Sequence, residues 1–220
     1  MDIYRTIKEE TSVSQTIERS HFIAPVRSVE SREEAEEFIA QIRAEYRDAT
    51  HNVPAMVLGD QAQIQWASDD GEPQGTAGHP MLDVLTGAGL VNTLAVVTRY
   101  FGGTLLGTGG LVRSYTKALQ DALEKSILIE RKNGIPLTVT ADDTAIGKLE
   151  YFFAKEELPA LSKEYGENVK ETLLIPEERL SKVQNEIIQM TGGKAVMDVG
   201  STVEYAVLDG TVLTGEQLTG

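Results

Sequence analysis

The apolar positions along the first 130 residues change between helical and strand-like spacing. From Ser31 apolar residues recur at 3.6-residue spacing, and Ser31 and Glu34 are placed as in a capping box, which predicts an amphipathic helix over 31–46. The apolar run Leu94–Val97 predicts a strand that is covered on both faces. The remaining predicted elements are strands over 20–29, 55–60 and 62–68, the last two joined by a turn at Gly59-Asp60, and helices over 79–89 and 111–123.

The rest of the chain has its own alternation of elements. Residues 130–136 combine charge with Gly and Pro and have no periodicity, so we expect a linker there. The segments that follow predict strands over 136–141, 160–165, 168–176 and 196–208, with one helix capped by Asp143 and another that follows Pro176 and ends at Gly192-Gly193. The order βαββαβ is that of a ferredoxin-like domain. The sequence therefore predicts an α+β protein with domains at 1–132 and 133–220.

Composition and charge exclude several classes of protein. The chain has no cysteine, which rules out disulfides, thiolate catalysis and zinc sites with cysteine ligands. No apolar run has the length of a membrane span and the N-terminus has no apolar signal region, so we predict a cytoplasmic location. The formal net charge is −14, with an excess of acidic residues in both halves. Because that charge repels polyanions, nucleic-acid binding requires a local basic patch.

Ten of the chain's 20 glycines lie within residues 68–117, and seven of these belong to two turns, GTAG and GGTLLGTGG, that each precede a predicted helix. Unpaired N–H groups at such helix starts can bind an anion. Arg99 and Arg113 flank the second turn and can add contacts to phosphate or carboxylate. Neither turn has the lysine of a phosphate-binding loop, and the second lacks the glycine at 112 that would complete a dinucleotide fingerprint. The alternative is that these glycines only permit tight strand-to-helix turns.

The acidic turn Asp69-Asp70-Gly71-Glu72 gathers three carboxylates, with His79 and His51 as possible neighbours. Such a group can bind a hard cation or act as acid and base. The turn lacks the spacing of a calcium loop, so solvation or helix capping is the alternative, and His79 before Pro80 is placed as a helix N-cap. We expect Tyr100 and Phe101 to belong to the core, although both can stack on a ring.

The segments DDGEPQGTAGHPML and VVTRYFGGTLLGTGGLVRSY resemble the signature of the IMPACT family of translation-linked proteins, and ATHNVPAMVLG resembles a further family segment. The resemblance covers about residues 18–125, and the C-terminal part resembles the domain that bacterial members append. It implies an N-terminal α+β fold of the ribosomal-protein type, also found in domain IV of elongation factor G, and a ferredoxin-like second domain. The residues that fall on the family's surface are Asp69, Asp70, Gly71, Glu72, Gly75, Thr76, Gly78, Arg99, Tyr100, Gly102, Gly103, Gly107, Gly109, Gly110 and Arg113.

The leading functional hypothesis is a non-enzymatic regulator of translation that binds RNA, the ribosome or a translation factor through the glycine-rich face. His79 is included in the candidate binding surface together with the residues of the family's signature. One alternative is a hydrolase or peptidase that uses Asp69, Asp70, Glu72 and His79, and another is a protein-interaction module. The sequence implies no cofactor and leaves the oligomeric state open.

Overall fold

The computed structural model describes residues 3–219, which divide into two compact units, Tyr4–Glu130 and Arg131–Leu218. Each unit contains both helices and antiparallel strands, so the α+β class predicted from the sequence is confirmed. Within the described residues, no helix is both long and apolar enough to cross a bilayer.

The N-terminal unit is built on a five-stranded antiparallel sheet. Its strands have the spatial order β2-β3-β6-β4-β5. The strands of this unit are β1 (Tyr4–Ile7), β2 (Thr11–Ile17), β3 (Ser20–Ser28), β4 (His51–Leu58), β5 (Ile64–Ala67) and β6 (Thr93–Tyr100). The predicted hairpin at Gly59-Asp60 is present, whereas β1 and β2 were not predicted, because their short and mostly polar segments show little apolar alternation.

Helices cover both faces of this sheet. On one face lies α1 (Arg32–Glu45), whose buried side chains pack on Leu94 and Val96 of β6. Its N-cap is Ser31, which accepts a hydrogen bond from the Glu34 N–H as the capping-box spacing predicts. On the other face lie α2 (Gly78–Gly87) and α3 (Gly107–Lys125), which pack on Ala95 and Val97. The strand β6 is therefore buried on both faces, as its apolar run predicts.

The C-terminal unit has the ferredoxin-like order of elements. Its sheet has the order β10-β7-β9-β8 with all neighbours antiparallel, and α4 and α5 pack together over one apolar core. This is the βαββαβ arrangement expected from the sequence. The elements are β7 (Leu128–Ala141), α4 (Asp143–Lys155), β8 (Ala160–Tyr165), β9 (Val169–Ile175), α5 (Glu177–Thr191), β10 (Val196–Val199), β11 (Val203–Leu208) and β12 (Thr211–Thr214), followed by a 3-10 turn at Gly215–Leu218.

Three local predictions in this part of the chain were wrong. Residues 130–136 are part of the continuous strand β7, because Lys132–Gly134 pair with β11 and Ile135 onward pairs with β9. The last predicted strand is two strands, interrupted at Gly200, which lies against Pro136 and donates its N–H to the Pro136 carbonyl. The cap of α4 is Asp142, which accepts from the N–H groups of Thr144 and Ala145.

Candidate functional site

A buried arginine at the end of β6 forms the centre of the candidate site. Arg99 follows Ala95 and Val97 on the strand face that carries α3, and its cross-strand neighbours are Phe22 on β3 and His51 on β4. Its Nη1 donates to Glu72 Oε1 at 2.8 Å, while Nε and Nη2 donate to Ser20 Oγ at 3.3 and 3.1 Å. The charge of Arg99 is thus neutralised within the protein, and its role is to hold neighbouring groups in place.

Glu72 lies between Arg99 and α3. Its Oε1 also accepts a hydrogen bond of 2.6 Å from the hydroxyl of Tyr115, a fully buried residue of α3. Burial raises the pKa of the Tyr115 hydroxyl, and its hydrogen bond to Glu72 raises it further. Tyr115 is therefore a neutral hydrogen-bond donor, and it joins α3 to the acidic turn.

The imidazole of His51 occupies the other side of Glu72. Its Nδ1 lies 2.8 Å from the Asp70 carbonyl oxygen and its Nε2 lies 3.6 Å from Glu72 Oε2. Since a carbonyl oxygen can only accept, Nδ1 carries the proton of this hydrogen bond. The ring is mostly buried, with 17% of the side chain exposed. The hydrogen bond of Nδ1 to the Asp70 carbonyl thus holds the ring in place, with Nε2 near Glu72 at the cavity.

These buried groups form the floor of a cavity of about 460 Å³. Its walls come from the loop between β6 and α3 and from α3 itself, namely Phe101, Leu105, Leu106 and Leu111. Leu105 is 88% exposed and Phe101 is 46% exposed, so the expectation that Phe101 belongs to the core was wrong. The Arg99 guanidinium lies 5.6 Å from the Phe101 ring centre, and this cation–π contact positions the ring beside the cavity. The cavity thus combines apolar walls with a polar floor.

The first turn of α3 also borders the cavity. Gly107 and Thr108 line it, and Leu106 at the N-cap position has no side chain that can accept a hydrogen bond from the helix start. Gly107 has a φ of +70°, a conformation that glycine adopts without strain. Arg113 is exposed in the second turn, with Nη1 close to Gly109. The arrangement places unpaired backbone N–H groups and one exposed cation at the same helix end.

The carboxylates of the acidic turn are directed to three different places. Asp69 accepts from the N–H groups of Gly75, Ala77 and Gly78 at 2.8, 3.2 and 2.9 Å, and so caps the start of α2. Partial burial raises the pKa of Asp69, but these three hydrogen bonds outweigh it and hold the pKa below its ordinary value. Asp70 accepts from the Asn52 N–H and from Arg43. Among the residues described here, no three His, Asp or Glu side chains are arranged to hold a metal ion.

The other predicted site residues lie around the cavity rather than in it. Thr76 donates to the Pro73 carbonyl within the loop before α2, and His79 is exposed in the first turn of that helix. The Tyr100 hydroxyl donates to Asp48, which raises the pKa of Tyr100. Gly102 packs against the backbone of Arg19 on the β2–β3 turn. The loop and first helical turn after it contain Gly103, Gly109 and Gly110, and Gly110 contacts the side chain of Leu106.

Several site residues were not identified from the sequence. Ser20, Leu105 and Leu106 lie outside any chemical motif, and Tyr115 was assigned only to the apolar stripe of α3. Arg99 is the one residue of the cavity floor that the sequence pattern indicates. It belongs to a strand that is buried on both faces. A buried arginine requires an anionic partner.

Comparison with known proteins finds a matching family model for part of each unit. The model of the Impact N-terminal domain matches residues 18–123, and that of a domain of unknown function, DUF1949, matches residues 139–194. The IMPACT family member YvyE of Bacillus subtilis is 40% identical over 90% of this chain and 91% of its own. The chain belongs to the IMPACT family. An IMPACT family member of Haemophilus influenzae is 36% identical over 89% of this chain and 96% of its own.

A solved structure is also similar to this IMPACT protein along most of its length. A crystal structure described as that of a hypothetical protein covers 90% of this chain and 97% of its own, with 29% identity and a TM-score of 0.58. Every residue that lines the cavity falls inside the range matched by the Impact N-terminal domain. The cavity is accordingly a feature of the IMPACT domain itself.

Proposed function

We propose that this IMPACT-family protein is a cytoplasmic regulator of translation that binds single-stranded RNA through the face formed by the β6–α3 loop and the cavity beside it. The link to translation is what the family resemblance implies. The observation that carries the binding mode is the position of the cavity, which has apolar walls and opens beside the uncapped start of α3.

The cavity and its rim match the two chemical parts of a nucleotide. Exposed apolar and aromatic side chains, Phe101 above all, offer a stacking surface for a base. The N–H groups at the start of α3 and the exposed Arg113 offer an anion site for the adjoining phosphate. The buried, partly unpaired carboxylate of Glu72 in the floor is a second polar group directed at a ligand. The face therefore supports binding of base and phosphate together.

The anion site rests on Arg113 and the helix start, with Arg99 as a positioning residue. Arg99 is 4% exposed and already paired with Glu72, so it holds Phe101 and Glu72 in place and does not contact phosphate. A single exposed arginine on a chain of net charge −14 provides modest affinity. We expect weak binding whose salt dependence is shallow, with a slope of about −0.7 for each phosphate contact on a single strand.

The contacts of the acidic turn give no support to the hydrolase alternative. Asp69 caps α2, Asp70 binds Asn52 and Arg43, and Glu72 is paired with Arg99. His79 is exposed at the start of α2, on the helix that Asp69 caps. The structure thus assigns each carboxylate a structural contact.

The proposal is tested by fluorescence anisotropy with a labelled uridine nonamer over a series of salt concentrations. Phe101→Ala should weaken binding by about tenfold through lost stacking. Arg113→Ala should weaken it and make the slope of log K against log salt shallower by about 0.7, the value for one phosphate contact on a single strand. The matched controls are Tyr151→Ala and Arg32→Ala, which remove an exposed aromatic and an exposed arginine elsewhere.

Two results would argue against this function. If all four variants and the unmodified protein bind the RNA equally, the β6–α3 face is not the binding surface. If the single-stranded RNA does not bind even at low salt while the protein co-sediments with ribosomes or a translation factor, the proposal that it binds single-stranded RNA is wrong.

A further inference from the structure

One oxygen of the buried Glu72 carboxylate has no hydrogen-bond donor among the residues that the structure describes. Oε1 accepts from both Arg99 and Tyr115, whereas the contact recorded for Oε2 is His51 Nε2, 3.6 Å away. Only 3% of the Glu72 side chain is exposed, and it lines the cavity. Oε2 is not one of the fully enclosed side-chain atoms that lack a partner, so it opens to the cavity, where a donor from a ligand can reach it.

The imidazole beside this oxygen is a second acceptor. Because His51 Nδ1 donates to the Asp70 carbonyl, the neutral ring has its lone pair on Nε2. The floor of the cavity therefore presents two acceptors, Glu72 Oε2 and His51 Nε2, 3.6 Å apart. Because both residues line the cavity, a ligand with two adjacent donors can satisfy the two acceptors together.

Resting on the RNA binding proposed above, we infer that the cavity selects guanine, through its N1–H and N2 amino group donating to Glu72 Oε2 and His51 Nε2. Guanine is the base whose pairing edge has two adjacent donors. Adenine and cytosine place an acceptor nitrogen beside their amino group, and uracil flanks its N3–H with two carbonyl oxygens. Each of these would direct a lone pair at an acceptor of the floor.

Different parts of the cavity account for base preference and for the affinity shared by all RNAs. Phe101 and the start of α3 act on any stacked base and its phosphate, so they contribute equally to all sequences. The Glu72–His51 acceptor pair acts on the pairing edge alone. Base preference should therefore change with the floor residues and persist when the phosphate contacts are weakened.

The test compares three nine-nucleotide RNAs on the unmodified protein: nine uridines, the same RNA with guanosine at its centre, and the same RNA with inosine there. We expect the guanosine RNA to bind about tenfold more tightly than the uridine RNA. Inosine keeps N1–H and lacks the N2 amino group. Its RNA should therefore bind only about threefold more tightly than the uridine RNA. Isothermal titration or anisotropy gives all three constants under one condition.

The outcomes distinguish this inference from the function on which it rests. Equal affinity for the three RNAs would overturn guanine selection and leave RNA binding in place. Failure of all three to bind would overturn the proposed function, and the inference with it. Equal affinity for the guanosine and inosine RNAs, both above uridine, would contradict the two-donor arrangement.

Variants of the acceptor pair give an independent readout. His51→Phe keeps a ring of similar size and removes the Nε2 acceptor, so the guanosine and uridine RNAs should bind within about twofold of each other. His21→Phe makes the same substitution at a histidine that contacts Ser14 and does not line the cavity, and it should retain the preference. Glu72→Gln replaces an acceptor by an amide and should likewise abolish the preference, with thermal unfolding used to confirm the fold. Retention of the preference in His51→Phe would overturn the assignment.

Discussion

Arg99 Nη1 and Glu72 Oε1 lie 2.8 Å apart, and the two side chains are only 5% and 3% exposed. This ion pair connects the buried strand β6 to the turn that follows β5. Tyr115 from α3 shares the same carboxylate oxygen, so a strand, a turn and a helix meet at one group.

Removing both partners of this ion pair should cost less stability than the sum of the two single removals. Glu72→Ala leaves a buried guanidinium without an anion and should reduce the free energy of unfolding by about 3–5 kcal/mol. Arg99→Ala should cost a similar amount, while the double variant should cost clearly less than the sum. Urea unfolding of the three variants and the unmodified protein gives the coupling energy. Additive losses would show that the two charges do not interact.

Tyr115→Phe should lower the free energy of unfolding by about 1–2 kcal/mol, because Glu72 loses one of its donors. The same change should alter alkaline stability. Burial raises the pKa of folded Tyr115 above that of an unfolded tyrosine near 10, so the unfolded chain loses this proton first. Stability should therefore fall as the pH rises above about 10, and less so in Tyr115→Phe. Tyr151→Phe, at an exposed tyrosine, is the control and should change neither property.

Asp69→Ala should destabilise the N-terminal unit by about 1–2 kcal/mol, since three N–H groups at the start of α2 lose their acceptor. Because the pKa of folded Asp69 is lowered, its contribution is present above about pH 4 and is lost as the pH falls below that value. Asp69→Asn keeps an acceptor oxygen and should cost less, while removing this acid dependence. Unfolding curves collected from pH 3 to 7 measure both effects. An unchanged acid profile in Asp69→Asn would contradict the capping role.

Adjacent glycines in the β6–α3 loop should respond differently to alanine. A Cβ at Gly102 would overlap the backbone carbonyl of Arg19, so Gly102→Ala requires the loop to move and should cost about 3 kcal/mol or more. Gly103 has a φ of +82° and open space around it, so Gly103→Ala should cost about 1 kcal/mol of backbone strain. Thermal unfolding compares the two variants directly, and equal losses would show that the close approach of Gly102 is not rigid.

The sequence was sufficient to predict the elements whose burial is periodic. The helix from Ser31, the buried strand around Leu94–Val97 and the βαββαβ order follow from apolar spacing and capping residues. The linker at 130–136 was predicted wrongly because Gly134 and Pro136 act here within a strand that pairs on both sides. The pairing of β7 with β9 and β11 outweighed the local preference of Gly and Pro for a turn.

The candidate site could be located but not assembled from the sequence. The glycine-rich segment contains Glu72, Arg99 and Gly107, all of which line the cavity. His51 and Ser20 are distant in the chain and reach Arg99 only through the pairing of β3, β4 and β6. Asp69 caps a helix, whereas Glu72 is a buried ion. The two roles follow from how exposed each carboxylate is in the fold, and the sequence of the turn does not indicate that exposure.

The cavity joins a floor made from the core to walls made from exposed loop side chains. Changes at Phe101 or Leu105 alter little buried surface, whereas changes at Arg99 or Glu72 disturb the packing of the whole unit. The contribution of the walls to affinity can therefore be changed by substitution at small cost in stability, whereas the selective floor cannot be altered without disturbing the ion pair that joins a strand, a turn and a helix.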